Sequence, residues 1–214
     1  MSPLRAGFAY GVVAVLVALV TELRFLLIDP QGIPDWILTV IEEFRTQLAL
    51  ATYLFLGILA ALRVRPTRLD PDVPYRSLLL RDCVLASTVV ACMVGATLFV
   101  VTALNATLFA DALRDYARDA APSIVAYNEK VAGRISDPPP IPTVEEVEEA
   151  LQPPVLRDLG RSMFNLVLRA LLLGSAGALV GALRGSFGSV PDAGRRTPPA
   201  EKGSVSGNGK SAQG

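Results

Sequence analysis

The sequence contains no histidine and only two cysteines, Cys83 and Cys92. The missing histidines exclude His–metal sites, Ser–His and Cys–His nucleophiles, and the side chain best suited to proton transfer near neutral pH. On a helix the two cysteines would lie about 180° apart, so they cannot bridge each other within it, and we interpret them as small apolar residues. The sequence therefore predicts a protein that is not an enzyme, with no catalytic residue, no cofactor and no metal site.

Charged residues are also scarce, at 19% of the 214 residues, whereas hydrophobic residues make up 51%. Soluble domains carry about 25% charged residues. The 20 Lys and Arg residues balance the 20 Asp and Glu residues, so the formal net charge is zero. A chain without net charge has no overall attraction for nucleic acid. The lipid bilayer is the expected partner, and nucleic acid is not.

The apolar residues are concentrated in four runs, at about 6–28, 44–62, 83–110 and 163–183. Each run approaches or exceeds the roughly 20 residues that a helix needs to cross the hydrocarbon core of a bilayer. A soluble helical bundle is the alternative, but the first and third runs lack the polar stripe of a soluble helix. A cleaved signal peptide is disfavoured because Glu22 and Arg24 stand where its cleavage site should be. We predict an all-α integral membrane bundle of four transmembrane helices.

Basic residues are distributed unevenly among the connections. Residues 63–82 contain five arginines, and the segment after residue 183 contains five Lys and Arg residues. The connection 29–43 has no basic residue, and the connection 111–162 has ten acidic residues against six basic ones. Because cytoplasmic loops are enriched in Lys and Arg, we predict a multi-pass protein of the inner (plasma) membrane with both termini in the cytoplasm.

The connection 111–162 is predicted to be a small helical extracytoplasmic insert. The stretch "ATLFADALRDYARDAA" should continue the third span outward, Pro122 should break or restart the helix, and Thr143 with Glu146 matches a capping box. The run of glutamates at 145–149 lacks the spacing of a calcium loop, so we interpret it as a solvated face.

The remaining segments outside the membrane are shorter or polar. The first outer connection, "GIPDWILTVIEEF", should form a short interfacial helix that runs into the second span. Residues 1–185 should form the membrane domain, and residues 186–214, rich in Gly, Ser and Pro, should be a disordered cytoplasmic tail.

Three ionisable residues fall inside the predicted spans: Glu22, Arg24 and Arg169. Such residues are costly in lipid and call for a functional hypothesis. Glu22 and Arg169 both lie about 9 Å below the outer boundary, because each is six residues from the outer end of its span. We predict that they form an intramembrane ion pair, the alternative being that each reaches the surface separately. Arg24, about 160° from Glu22 on the helix, should extend to the outer headgroups.

Small residues four apart predict where the helices pack closely. Gly7 and Gly11 mark such a face on the first span, and Gly177 and Gly181 mark one on the fourth. Since both pairs lie toward the cytoplasmic end, we predict that the first and fourth spans are neighbours. On the third span, residues 87, 91 and 95 form a further small face. Its Thr88, Thr97, Thr102 and Asn105 are residue types that bond across helices.

Four spans, a long charged insert before the last one, the step "QPPVLRDLG" and the closing stretch "ALLLGSAGALVGAL" resemble a bacterial family of small membrane proteins, domain of unknown function 4199. The resemblance covers residues 6–185 and rests on layout and local pattern. It implies a bacterial inner-membrane location and no assigned activity, and it transfers no functional residue.

From these features we expect an uncharacterised, non-enzymatic membrane protein that is an accessory or assembly partner of envelope proteins. Other membrane proteins should contact it through the insert 111–162. The alternative is a small transporter or channel subunit, in which the outer charged pair would be a gate.

Overall fold

A computed structural model describes residues 1–65, 73–134 and 140–187, and within these ranges the chain is helical without a β-strand. The helices are α1 (Pro3–Glu22), α2 (Asp35–Arg63), α3 (Tyr75–Thr107), α4 (Ala110–Ala132), α5 (Val144–Leu151) and α6 (Leu159–Phe187). Short 3₁₀ turns at Arg24–Leu26 and Leu156–Asp158 precede α2 and α6. The predicted tail lies outside the described residues apart from Ser186 and Phe187, which end α6.

Helices α1, α2, α3 and α6 are long and apolar enough to cross a membrane. The predicted all-α bundle with four spans is confirmed, and the chain is a multi-pass membrane protein. Helix α2 has 29 residues and is therefore about 43 Å long, which exceeds a hydrocarbon core of about 30 Å. The helix that was predicted to run into the second span is the N-terminal part of α2.

The helix ends differ from the sequence-based expectation at three places. Helix α1 ends at Glu22, so residues 23–28 do not continue it. Helix α3 ends at Thr107, and Leu108 and Phe109 separate it from α4. Pro122 does not break α4. The backbone hydrogen bond that Pro122 lacks would reach the carbonyl of Arg118, which lies on an exposed turn where water can bind it.

Helix α3 is the centre of the membrane bundle, because α1, α2 and α6 all pack against it. Two hydrogen bonds join α3 to α2: Ser87 Oγ donates to the Gly57 carbonyl at 2.9 Å, and Cys83 Sγ donates to the Ala61 carbonyl at 3.4 Å. The small side chains at 83 and 87 thus let the two backbones approach closely while satisfying their own polar atoms.

The four predicted packing glycines all lie in helix contacts, but their partner is α3. A Cβ on Gly7 would meet Val89, and one on Gly11 would meet Met93. On α6, a Cβ at Gly177 would meet Ser87, and one at Gly181 would meet the backbone of Leu80. Helices α1 and α6 make no extensive contact within the described residues. The expected contact between the first and fourth spans is therefore wrong, because α3 provides the surface that both glycine faces fit.

A second, smaller core lies at the end of the bundle that the sequence predicts to face outward, which we call the outer end. It contains Phe25 after α1, Leu38 on α2, and Tyr116, Ala120 and Ile124 on α4. Helix α5 packs against it, and the predicted capping box at the start of α5 is confirmed, since Thr143 N donates to Glu146 Oε2 at 2.8 Å and Glu146 N donates to Thr143 Oγ1 at 3.3 Å. We call residues 23–43, 109–134 and 140–151 the outer subdomain.

At the opposite end of the bundle, Arg184 of α6 closes the end of α2. Its Nη1 donates to the carbonyls of Ala61 and Val64 at 2.9 and 3.1 Å. The last carbonyls of a helix have no partner within the helix, and a cation is favourable at that end of the helix dipole. Arg184 thus stabilises the end of α2 and fixes α6 against it.

Candidate functional site

A buried ion pair fastens the outer subdomain to the bundle. Arg24, in the turn after α1, donates from Nε and Nη2 to the two carboxylate oxygens of Glu42 on α2, each at 2.5 Å. Their side chains are only 10% and 6% exposed. Tyr116 of α4 donates to Glu42 Oε1 at 2.7 Å, and its ring lies 5.7 Å from the Arg24 guanidinium. Three separate elements therefore meet at one carboxylate.

The protonation states of this network follow from its environment. Burial lowers the pKa of Arg24, but the hydrogen bonds and the charge of Glu42 more than offset it, so the pKa is raised above its ordinary value. Burial and, after it, the charge of Glu42 raise the pKa of Tyr116. Arg24 thus stays charged and Tyr116 stays a neutral hydroxyl donor near neutral pH, which is the arrangement that satisfies Glu42.

The prediction that Arg24 extends to the headgroups is wrong, because α1 ends before it and the chain turns back toward α2. The sequence does contain a signal for the observed pair. An arginine just beyond a helix end needs an acidic partner at the same depth, and Glu42 occupies that depth on the following helix.

A groove opens in the outer subdomain between the outer end of α2, helix α4 and the segment 140–151. Its volume is 730 Å³. The apolar walls are formed by Val40, Phe44, Ile124, Val131, Ile141, Val147 and Leu151. Glu43 and Glu146 also line it, and both are exposed. We call this space the outer groove.

Glu22 and Arg169 line one cavity of 230 Å³ between the outer halves of the four spans, which we call the bundle cavity. They do not form an ion pair in the part of the chain that the structure describes, where Arg24–Glu42 is the pair that joins separate elements. The prediction that Glu22 and Arg169 form an ion pair is therefore wrong, although both residues line the same cavity. They come from α1 and α6, which pack on α3 and not on each other, so a cavity lies between them.

A second polar cavity, of 260 Å³, adjoins the bundle cavity at the base of the outer subdomain, and Glu22 and Arg45 line both. We call it the boundary cavity. Arg161, Asp158 and Asn105 also line it. Asn105 is 5% exposed, and its Oδ1 has no hydrogen-bond partner among the described residues.

The threonines of α3 differ from the expectation that they bond across helices. Thr97 and Thr102 donate to the carbonyls of Met93 and Leu98 on their own helix. Ser162 of α6 reaches Thr102 at 3.5 Å, which is a long contact for two hydroxyls.

Within residues 1–65, 73–134 and 140–187, no group of three or more Cys, Asp and Glu side chains is arranged to hold a metal ion. The glutamates of α5 do not form such a group, and none of α5 is buried.

No protein-family model matches the chain, and no curated protein or solved structure matches it either. The resemblance to domain of unknown function 4199 therefore stays a prediction. The fold and the cavities define a four-span helical membrane protein that carries an anchored outer subdomain.

Proposed function

We propose that the protein is a non-enzymatic accessory or assembly protein of the cell envelope, and that its outer groove binds an apolar segment of a partner protein. The observation that supports this most directly is the outer groove itself. Its volume of 730 Å³ lies within the range of about 300–1,000 Å³ that is typical of binding sites.

The groove is open and apolar where a closed core would be expected. Val40, Phe44 and Ile141 are 39%, 45% and 41% exposed although they line it. Apolar side chains gathered in one concave surface favour burial by a partner, at about 25 cal/mol for each Å² removed from water. The Arg24–Glu42–Tyr116 network holds α2 and α4, two of the three walls, in a fixed relation, so little ordering is needed on binding.

The acidic residues of the groove indicate the chemistry of the partner. Glu43 and Glu146 lie on opposite walls, on α2 and α5, and neither forms an ion pair within the described residues. Glu146 accepts one hydrogen bond from Thr143 N but keeps its charge, whereas Arg24 neutralises Glu42. A segment with apolar residues at helical spacing and flanking Lys or Arg would complement both features.

We further propose that the outer subdomain faces away from the cytoplasm in the inner membrane. The arginines that flank the spans support this orientation. Arg63, Arg65, Arg76, Arg81 and Arg184 all belong to the end of the bundle opposite to the outer subdomain. The positive-inside tendency then places that end, and both termini, in the cytoplasm.

A small transporter or channel subunit is the second candidate, and the bundle cavity favours it because a polar cavity inside four spans could hold a solute. The packing below the cavity supports the accessory function instead. There Gly57 lies against Leu173, and Ser87 lies against Gly177. Reconstituted protein should therefore give no solute flux above empty liposomes, and flux that is lost in Glu22→Gln would favour the transporter.

The outer groove can be tested by placing a photoreactive amino acid at Ile141 in the full-length protein in its native membrane. We expect a crosslink to a peptide of another membrane protein that is apolar with flanking Lys or Arg residues. The variants Glu43→Lys and Glu146→Gln should together reduce that crosslink at least tenfold, since the first turns an attraction into repulsion and the second removes a charge while glutamine can keep the capping box.

A photoreactive amino acid at Arg118 is the matched control, because this residue is exposed on α4 and does not line the groove. The same crosslinks at both positions would contradict a specific groove. If Ile141 crosslinks only to lipid, the groove binds an acyl chain and not a protein segment.

A further inference from the structure

We propose that the boundary cavity and the bundle cavity together bind one membrane phospholipid, with its phosphodiester between Arg45 and Arg161 and its glycerol esters beside Arg169. This site is separate from the outer groove and does not depend on the proposed function. It assigns a ligand to the charged residues that the sequence singled out inside the spans.

The first argument is the balance of charge around the two cavities. Arg24 lines the boundary cavity, but Glu42 already neutralises it. The remaining cations are Arg45, Arg161 and Arg169, and the remaining anions are Glu22 and Asp158. One positive charge is therefore in excess, which matches the single negative charge of a phosphodiester.

The second argument is that these arginines are available. Arg161 and Arg169 form no ion pair or side-chain hydrogen bond within the described residues, and Arg45 lies 3.9 Å from a Glu42 oxygen that Arg24 holds at 2.5 Å. A guanidinium near lipid without an anion is costly. A phosphate group accepts the fork of donors that arginine presents.

The third argument is an acceptor that needs a donor from outside the protein. Asn105 lines the boundary cavity and is buried, yet its Oδ1 accepts no hydrogen bond from a described residue. Such groups in native structures are nearly always paired. The hydroxyl of a lipid headgroup next to the phosphate could supply that hydrogen. The first turn of α6, which includes Arg161, adds the positive end of a 29-residue helix at the same cavity.

The fourth argument distinguishes a phospholipid from a free phosphate ion. The residues of α6 that line the cavities change in character with depth, from Arg161 through Asn165 and Arg169 to Leu172. Arg169 is about 12 Å deeper than Arg161, because eight residues separate them. Phosphate, ester and acyl chain follow one another in the same order in a phospholipid, and because phosphate and esters are closer than about 12 Å, the long side chain of Arg169 has to extend toward the interface to reach the esters. Leu168 and Leu172 are also exposed on the bundle surface, so a chain can leave the cavity toward the bilayer.

The test is binding to the delipidated full-length protein in an uncharged detergent, followed by native mass spectrometry. The probes are phosphatidylglycerol, diacylglycerol with the same acyl chains, and inorganic phosphate. We expect phosphatidylglycerol to bind at least tenfold more tightly than either of the others, since only it offers the phosphodiester and the chains together. Arg161→Gln and Arg169→Gln should each weaken it by about tenfold or more.

Arg118→Gln is the control, because this arginine is exposed on α4 and lines neither cavity. Arg161→Lys should recover only part of the affinity, since it keeps the charge but loses the fork of donors. The proposal is overturned if diacylglycerol binds as tightly as phosphatidylglycerol, or if Arg118→Gln weakens binding as much as Arg161→Gln. If inorganic phosphate binds as tightly as phosphatidylglycerol, the ligand is a free anion and the proposed lipid is wrong. The comparison of probes on the unsubstituted protein decides these points even if a variant does not fold.

Discussion

Glu22 and Arg24 are two residues apart in the sequence, but the end of α1 at Glu22 gives them different surroundings. Glu22 lines the cavities between the spans, whereas Arg24 is buried against Glu42 and Tyr116. Depth and helical phase could place Glu22 and Arg169 at one level of the bundle. The depth of Glu42 identifies it as the partner of Arg24 only once α1 is known to end before Arg24, and the position of that end depends on tertiary contacts that the apolar run does not encode.

At the scale of single residues, Glu42→Gln should destabilise the protein by about 3–5 kcal/mol. The reason is that Arg24 would remain buried without its one ion-pair partner among the described residues. The free energy of unfolding in detergent measures this cost. The neighbouring Glu43→Gln is the control, because Glu43 is exposed and should change stability by about 0.5 kcal/mol or less. Similar costs for the two variants would show that the buried pair does not hold the outer subdomain.

At the scale of helices, the sequence predicted which faces are close-packed but not which helices meet. The glycine faces of α1 and α6 have similar depth and similar composition, so pairing them with each other was the simplest hypothesis. In the structure both fit α3, whose Ala86, Ser87 and Leu80 backbone and side-chain atoms lie against them. Small-residue patterns describe a surface that permits close approach, and several partners can satisfy such a pattern. The capping box of α5 was predicted correctly because its two residues interact locally.

Gly177→Ala should separate α3 from α6 and lower stability by about 1–3 kcal/mol through overpacking. An added Cβ would lie 2.5 Å from Ser87 Oγ and 2.8 Å from the Cys83 carbonyl, and Ser87 is held by its bond to Gly57. Thermal unfolding of the purified protein in detergent measures the loss.

Gly160→Ala, on the same helix, is the matched control for Gly177→Ala. Nothing lies within 4 Å of a Cβ at Gly160, so this variant should be at least as stable as the original protein. Because alanine favours a helix more than glycine does, propensity alone would make both variants slightly more stable, and equal losses at the two positions would contradict overpacking at the α3–α6 contact.

At the scale of the whole molecule, composition and apolar length were sufficient to predict the four spans. Composition and apolar length could not predict how far a helix such as α2 extends beyond the bilayer. Helix α2 continues outward without a break because its outer residues pack on α4, and that contact joins residues far apart in the chain. The outer groove was not predicted for the same reason, since its three walls come from separate segments.

The proposed orientation predicts which cysteines a membrane-impermeant maleimide can reach in intact cells. Cys83→Ser and Cys92→Ala would provide a background without native thiols. In that background Glu148→Cys on α5 should react, and Ser77→Cys near the start of α3 should react only after permeabilisation, because the two residues lie at opposite ends of the bundle. The reverse pattern of labelling would contradict cytoplasmic termini.

The contact between Arg184 and the end of α2 has a consequence for the order in which the molecule is built. The ribosome synthesises α2 long before α6, so the carbonyls of Ala61 and Val64 lack the Arg184 guanidinium until α6 has been made. Until α3 is made, the glycine face of α1 likewise lacks the surface that it fits. The first two helices are therefore incompletely packed until α3 and α6 have been made.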